Sequence, residues 1–192
     1  MSKKVLVLLA EGFEEVEAIT PIDYLRRAGV EVTVAAVNKD PTVKGSHGIQ
    51  VVPDASLDDL AGAGKLDPSS WDAVVVPGGL PGADNLAASK PAGVFLKGMA
   101  KAGKLVAAIC ASPARVLSPL GILAGKKFTC YPGEEKNASP SSGAEWKEDR
   151  VVIDGNLVTS RGAGTAGEFA AAIIGELIGA EEAKKLADKV LL

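Results

Sequence analysis

The chain has 192 residues and a formal net charge of −3, enough length for one domain over 1–192 and too little basic excess for a nucleic-acid footprint. Hydrophobic residues make up 47% of it, so a core can be buried without disulfides or a structural metal. The opening residues lack the pattern of a secretory signal and no stretch approaches the roughly 20 apolar residues of a membrane span, so Cys110 and Cys130 read as free thiols of a reducing, cytoplasmic compartment.

The first element is a continuous apolar run over 5–9, the mark of a parallel strand covered on both faces. Glu11-Gly12 breaks it. Over 14–28, Val16, Ile19, Ile22 and Leu25 recur at helical spacing, Gly29 closes the helix, and Pro21 is expected to kink it without ending it. A second strand follows over 31–37, and residues 43–53 read as two short exposed extended pieces around Ser46-His47-Gly48. The run 73–76 is another buried strand, stopped by Pro77-Gly78-Gly79. A helix over 90–102 precedes a strand over 104–109, Cys110, and a helix through Leu117. Residues 132–143 read as a surface loop. Strands at 151–153 and 157–160 flank Asp154-Gly155-Asn156 as a hairpin, and helices over 166–178 and 180–191 complete the pattern. Strands alternating with helices of this length mean βαβ units and a mainly parallel α/β sheet. Ligands of such sheets bind beyond the carboxyl ends of the strands, where Glu11-Gly12, Gly78-Gly79 and Cys110 all fall.

Cys110 follows a buried strand directly and is surrounded by Ala108, Ala111 and Ala114. A tight strand-turn-helix needs such small neighbours, and a sulfur at a helix N-terminus is favoured as an anion. A thiol with a pKa near 8.5 is about 3% thiolate at pH 7, and one lowered to about 5.5 is roughly 30-fold richer in it. A buried structural cysteine fits the same spacing. No metal ligand set emerges from one histidine and two cysteines twenty apart. Gly162-Ala163-Gly164-Thr165-Ala166-Gly167 has the form of a dinucleotide-binding loop, but helix-like sequence stands where the second strand of that unit belongs.

The blocks LAEGFEEVEAITPIDYLRRAG, VVVPGGLPGADNL, VAAICASPARVL and LVTSRGAGT occur in order along nearly the whole chain. Together they resemble the DJ-1 branch of the DJ-1/PfpI superfamily. The resemblance implies a flavodoxin-like, doubly wound sheet with helices on both faces, and a homodimer built partly on the first helix. It implies a nucleophilic Cys110 and places the family's acid on Glu17, protonated against the sulfur, with backbone N–H groups of Gly79 and Ala111 as the oxyanion site. Glu14 and Glu15 have no such claim and read as capping or solvent-facing. Arg27 and His47 fall where the family has interface or anion-contacting groups. His47 lies in a segment that shares its strand end with neither Cys110 nor Glu17, which argues against a general base. Tyr131 stands where relatives often have a histidine, and Cys130 beside it reads as a passive thiol, with a resolving role as the alternative. The loop at 162–167 packs beside the cysteine pocket in the family.

The activity implied is a cofactor-independent glyoxalase or protein deglycase acting on glyoxal, methylglyoxal or their early adducts on side chains. A redox sensor or stress chaperone that works through a Cys110 sulfinate is the alternative. Peptidase activity is not implied, because the relatives that have it carry a histidine where this chain has Ala111.

Overall fold

The computed structural model describes residues 2–139 and 142–192. Residues 140 and 141, within the surface loop expected at 132–143, lie outside them. The first strand, β1 (Lys4–Leu9), pairs in parallel with β2 (Glu31–Ala36) on one side and with β6 (Ala73–Val76) on the other. Between β2 and β6 run the short pieces β3 (Val43–Lys44), β4 (Gln50–Val51) and β5 (Ala55–Ser56). Of these, β3 and β4 are the two short extended pieces expected and pair antiparallel, with Val43 buried in the core, and β5 closes one edge of the main sheet. Beyond β6 lies β7 (Leu105–Ile109). A small parallel pair, β8 (Lys127–Phe128) and β9 (Glu145–Trp146), stands apart from the main sheet. The hairpin β10 (Val151–Asp154) and β11 (Leu157–Ser160) completes a seven-stranded order β10-β11-β7-β6-β1-β2-β5 in which only β10 is antiparallel.

Side chains of each strand alternate between two apolar layers, which is why these strands are continuous apolar runs in the sequence. Leu6, Leu8, Val74, Val76 and Val106 face α2 (Leu57–Gly62), α3 (Gly82–Ala88) and α4 (Lys90–Lys101). Val5, Val7, Leu9, Val75 and Ile109 face α1 (Glu15–Arg27), α5 (Ala166–Ile178) and α6 (Ala180–Val190). The result is a flavodoxin-like doubly wound fold. Helices α2 and α3 are too short to show a period of their own and were not evident in the sequence; Ser56 starts α2 with a capping box.

Helix α1 runs on through Pro21. Its buried stripe is Glu15, Glu17, Ala18, Pro21, Ile22 and Leu25, whereas Val16 and Ile19, two of the four residues that marked it in the sequence, point outward at 48% and 41% exposure. The helix expected after Cys110 is a five-residue π-helical turn, Pro113–Leu117. The strand order reverses between β1 and β6, and a crevice opens beyond their carboxyl ends at this switch point.

Candidate active site

Cys110 sits one residue past the end of β7 with φ of 65°, a left-handed conformation unfavourable for a side chain with a Cβ. Two backbone bonds hold it there: its N–H donates to the Ser160 carbonyl (3.0 Å), and its own carbonyl accepts from Tyr131 N–H (2.9 Å). The buried Ser112 hydroxyl donates to the Pro77 carbonyl (2.6 Å), which ties the cysteine turn to the turn after β6. That second turn has to be glycine. A Cβ on Gly78 would lie 2.6 Å from Cys110 Cβ and 2.7 Å from Glu17 Oε2, and one on Gly79, with φ of 88°, would lie 2.4 Å from Glu14 N. Gly79 and Ala111 direct their backbone N–H groups at the Cys110 sulfur.

Glu17 enters from the first turn of α1, where Glu14 caps the helix by accepting from Glu17 N–H (2.7 Å). The Glu17 carboxyl is 1% exposed, meets the Cys110 sulfur, and accepts from Gly78 N–H (2.9 Å) and from Ala163 N–H. Burial pushes this carboxyl up to about 7, against the pull of those donors. Burial and the adjoining Glu17 charge push the Cys110 thiol up to about 12, while the Gly79 and Ala111 amides draw it down. The element after the cysteine is shorter than the expected helix, and the Ala111 amide at its start still draws the thiol down. The cysteine is followed by a single turn, and its ionisation is governed by Glu17. Two anions in contact are excluded, so between those values the pair carries one proton, and the thiolate exists when that proton is on Glu17.

The sulfur opens into a cleft of about 420 Å³ lined by Glu14, Ser46, His47, Gly79, Leu80, Ala111, Tyr131 and Glu134. His47 is therefore a wall of the cysteine cleft, contrary to its expected separation from Cys110. The segment joining β3 to β4 folds back over the start of α1, with Ser46 N–H donating to the Phe13 carbonyl (2.8 Å). Glu15, expected to cap or face solvent, is 4% exposed and anchors this segment. Its carboxylate accepts from His47 N–H (2.7 Å), His47 Nδ1 (2.9 Å), Ile49 N–H (3.3 Å) and the Ser46 hydroxyl (3.3 Å). Burial works to raise Glu15, but the His47 side chain and these amides bring it down to about 2. The Glu15 hydrogen bond and charge in turn raise His47. Glu14, Glu15 and His47 hold their potential ligand atoms within 4.8 Å of one another, an arrangement that these hydrogen bonds account for. On the opposite wall, Arg115 donates from Nε and Nη2 to Glu134 (2.6 and 3.0 Å) and from Nη1 to Asp84 (3.0 Å), fixing Glu134 at the rim.

Arg27 is not brought to this site; it ends α1 on the outside, with Nε donating to Asp23 (2.5 Å). Cys130 is fully buried against the Trp146 indole, and burial pushes its thiol up to about 12, which fits a passive role. The glycine-rich loop at 162–167 supplies the Ala163 amide to Glu17. Three contributors had no role assigned in the sequence: Ser112, Glu15, which was read as capping or solvent-facing, and Ala163, of which only the loop's place beside the pocket was expected.

A cysteine on a strained turn at the switch point of a doubly wound sheet, under two backbone amides and against a buried acid, defines a class of α/β proteins organised around a single thiol. The chain belongs to the DJ-1/PfpI family, which it matches over residues 3–176. It is similar to protein dj-1beta of Drosophila melanogaster, with 42% identity over 193 residues covering 100% of this chain and 98% of that one. The crystal structure of Drosophila DJ-1beta aligns with a TM-score of 0.89 over 100% of this chain and 99% of that one. The structure described as Toxoplasma gondii DJ-1, oxidized, is 39% identical, with a TM-score of 0.91, 99% of this chain and 98% of that one covered. A Caenorhabditis elegans relative named glutathione-independent glyoxalase DJR-1.2 is 38% identical over 185 residues, 96% of this chain and 94% of its own length.

Proposed function

We propose that the protein is a cofactor-independent glyoxalase, and a deglycase where the same carbonyl is already attached to a protein side chain. The observation that carries this reading is the Cys110–Glu17 pair beneath the Gly79 and Ala111 amides at the floor of an open cleft. The relative named as a glyoxalase supports it. With the shared proton on Glu17, the sulfur attacks the aldehyde carbon of methylglyoxal, and its oxygen develops negative charge at the two amides. Glu17 gives that oxygen its proton, which leaves a hemithioacetal and a carboxylate able to act as base. Removal of the carbon-bound proton, its return to the neighbouring carbon and hydrolysis of the resulting thioester give lactate. The exposed face of α1, with Val16 and Ile19, is the surface we assign to a second copy of the chain.

Methylglyoxal consumption with lactate detection tests the reading on the wild type, Cys110→Ser and Cys130→Ser. Many turnovers, lost in Cys110→Ser and kept in Cys130→Ser, are expected. Trapping of one methylglyoxal per chain without lactate would remove the enzyme reading.

The relative solved in an oxidised state favours a second reading, a sensor in which peroxide takes Cys110 to the sulfinate. The amides and Glu17 that stabilise a substrate oxyanion would stabilise the sulfinate oxygens as well. Intact mass after mild peroxide should then show two added oxygens that Cys110→Ser does not acquire.

A further inference from the structure

We infer that His47, held by the buried Glu15, is a catalytic residue of the cleft: its Nε2 meets the second oxygen of a 1,2-dicarbonyl whose first oxygen lies at the Gly79 and Ala111 amides. The inference rests on the glyoxalase reading and extends it to the group that Cys110 and Glu17 cannot serve.

Isomerising a hemithioacetal needs two proton-handling groups. Glu17 can take the hydrogen from the carbon bearing sulfur, but the neighbouring carbonyl oxygen must gain a proton as the electron pair moves toward it. Among the residues lining the cleft, Glu14 is engaged in capping α1, Glu134 is held by Arg115, and Ser46 is bound to Glu15. A phenol is a weaker acid than an imidazolium, and Tyr131 is the phenol of the lining. His47 is the one cation-forming side chain of the lining. Its Nδ1 is turned to Glu15 Oε2, which leaves Nε2 without a hydrogen bond among the described residues, on a side chain 72% exposed. A carboxylate that fixes one ring nitrogen and sustains the charged form of the ring is the arrangement that makes histidine an oriented acid and base. Gly45 is built for this contact, since a Cβ there would lie 2.3 Å from Glu15 Oε1.

The step balances within substrate and protein. As Glu17 removes the proton from the sulfur-bearing carbon, that carbon's electron pair forms the new carbon–carbon double bond. The carbonyl π pair passes to its oxygen, which takes the Nε2 proton of His47, giving an enediol. Glu17 then returns its proton to the second carbon, and the first carbon's hydroxyl releases its proton to solvent, from which His47 recovers its own. The first carbon is oxidised to a thioester carbonyl and the second reduced to an alcohol; water cleaves the thioester.

His47 is the single histidine of the chain, so its ring resonances can be followed by NMR in the intact protein without assignment. The groups that face it are Glu14 and Glu15 from α1, with Cys110, Tyr131 and Glu134 across the cleft. His47→Gln should lower kcat for methylglyoxal by about 10²-fold while the rate of Cys110 alkylation stays at the wild-type value. Glu15→Gln, which keeps an acceptor but loses the charge, should move both the ring titration and the matching limb of the kcat profile to lower pH. In Cys110→Ser, addition of lactate should shift the His47 ring signals. Wild-type kcat in His47→Gln, or ring signals that lactate does not move, would overturn the assignment. A wild type without turnover defeats the glyoxalase reading itself, and with it a catalytic role for His47.

Discussion

Glu17 is a carboxyl whose folded-state pKa is raised, so it stabilises the fold most when protonated. That contribution is complete below its ordinary value of 4.5 and is lost as the pH rises through about 7. At pH 8 the protein therefore carries a buried charge against its stability, and Glu17→Gln should raise Tm at pH 8, by roughly 5 °C for about 2 kcal/mol, and by less at pH 5. The same variant should lose turnover. The pH midpoint of Cys110 alkylation should move upward, because a buried thiol must then ionise without a partner to take its proton. Thermal melts and alkylation rates across pH check both; an unchanged midpoint would separate Glu17 from the sulfur. Glu15 has the opposite sign. Its pKa is depressed, so its stabilisation is present above 4.5 and is lost as the pH falls toward about 2. Urea unfolding should find Glu15→Gln less stable than wild type at pH 7, with the difference narrowing toward pH 2.

The turn after β6 is where local geometry decides whether the site exists. Gly79→Ala places a Cβ at 2.4 Å from Glu14 N on a backbone with φ of 88°, and should cost more than about 2 kcal/mol in urea unfolding along with the oxyanion donor. Elements of this kind explain what could be known from the sequence. The runs that became β1, β6 and β7 are apolar on both faces and needed no partner to be recognised. The Pro-Gly-Gly stop and the small residues around Cys110 located the two turns, and the resemblance paired Cys110 with Glu17 across a separation of 93 positions that no local pattern carries. Helices α2 and α3 span too few turns for a period to emerge. The place of His47 was hidden for another reason: its segment is positioned by Glu15, through hydrogen bonds to residues more than thirty positions away. The element after Cys110 was read as too long because a short turn and a long helix look alike until the backbone of 113–117 is known.

At the scale of the whole molecule, no helix among the described residues is long and apolar enough to cross a membrane, and the apolar surface in question is the outward face of α1. If a second copy covers it, Val16→Glu should shift the sedimentation coefficient toward the monomer at micromolar concentration and leave the far-ultraviolet circular dichroism unchanged; a wild type that sediments as a monomer removes the assignment. The site itself gathers residues from along most of the chain, from Glu14 and Glu17 through Gly79 and Cys110 to Tyr131, Ser160 and Ala163. The bond from Cys110 N–H to Ser160 needs β11 seated beside β7, although β7 is synthesised some fifty residues earlier. During translation, then, the cysteine leaves the ribosome as an ordinary thiol and acquires its acid partner's full setting only once Ala163 has followed. The order of synthesis thus leaves Cys110 without its Ser160 anchor, and Glu17 without its Ala163 donor, until the last strand of the sheet and the loop after it are in place.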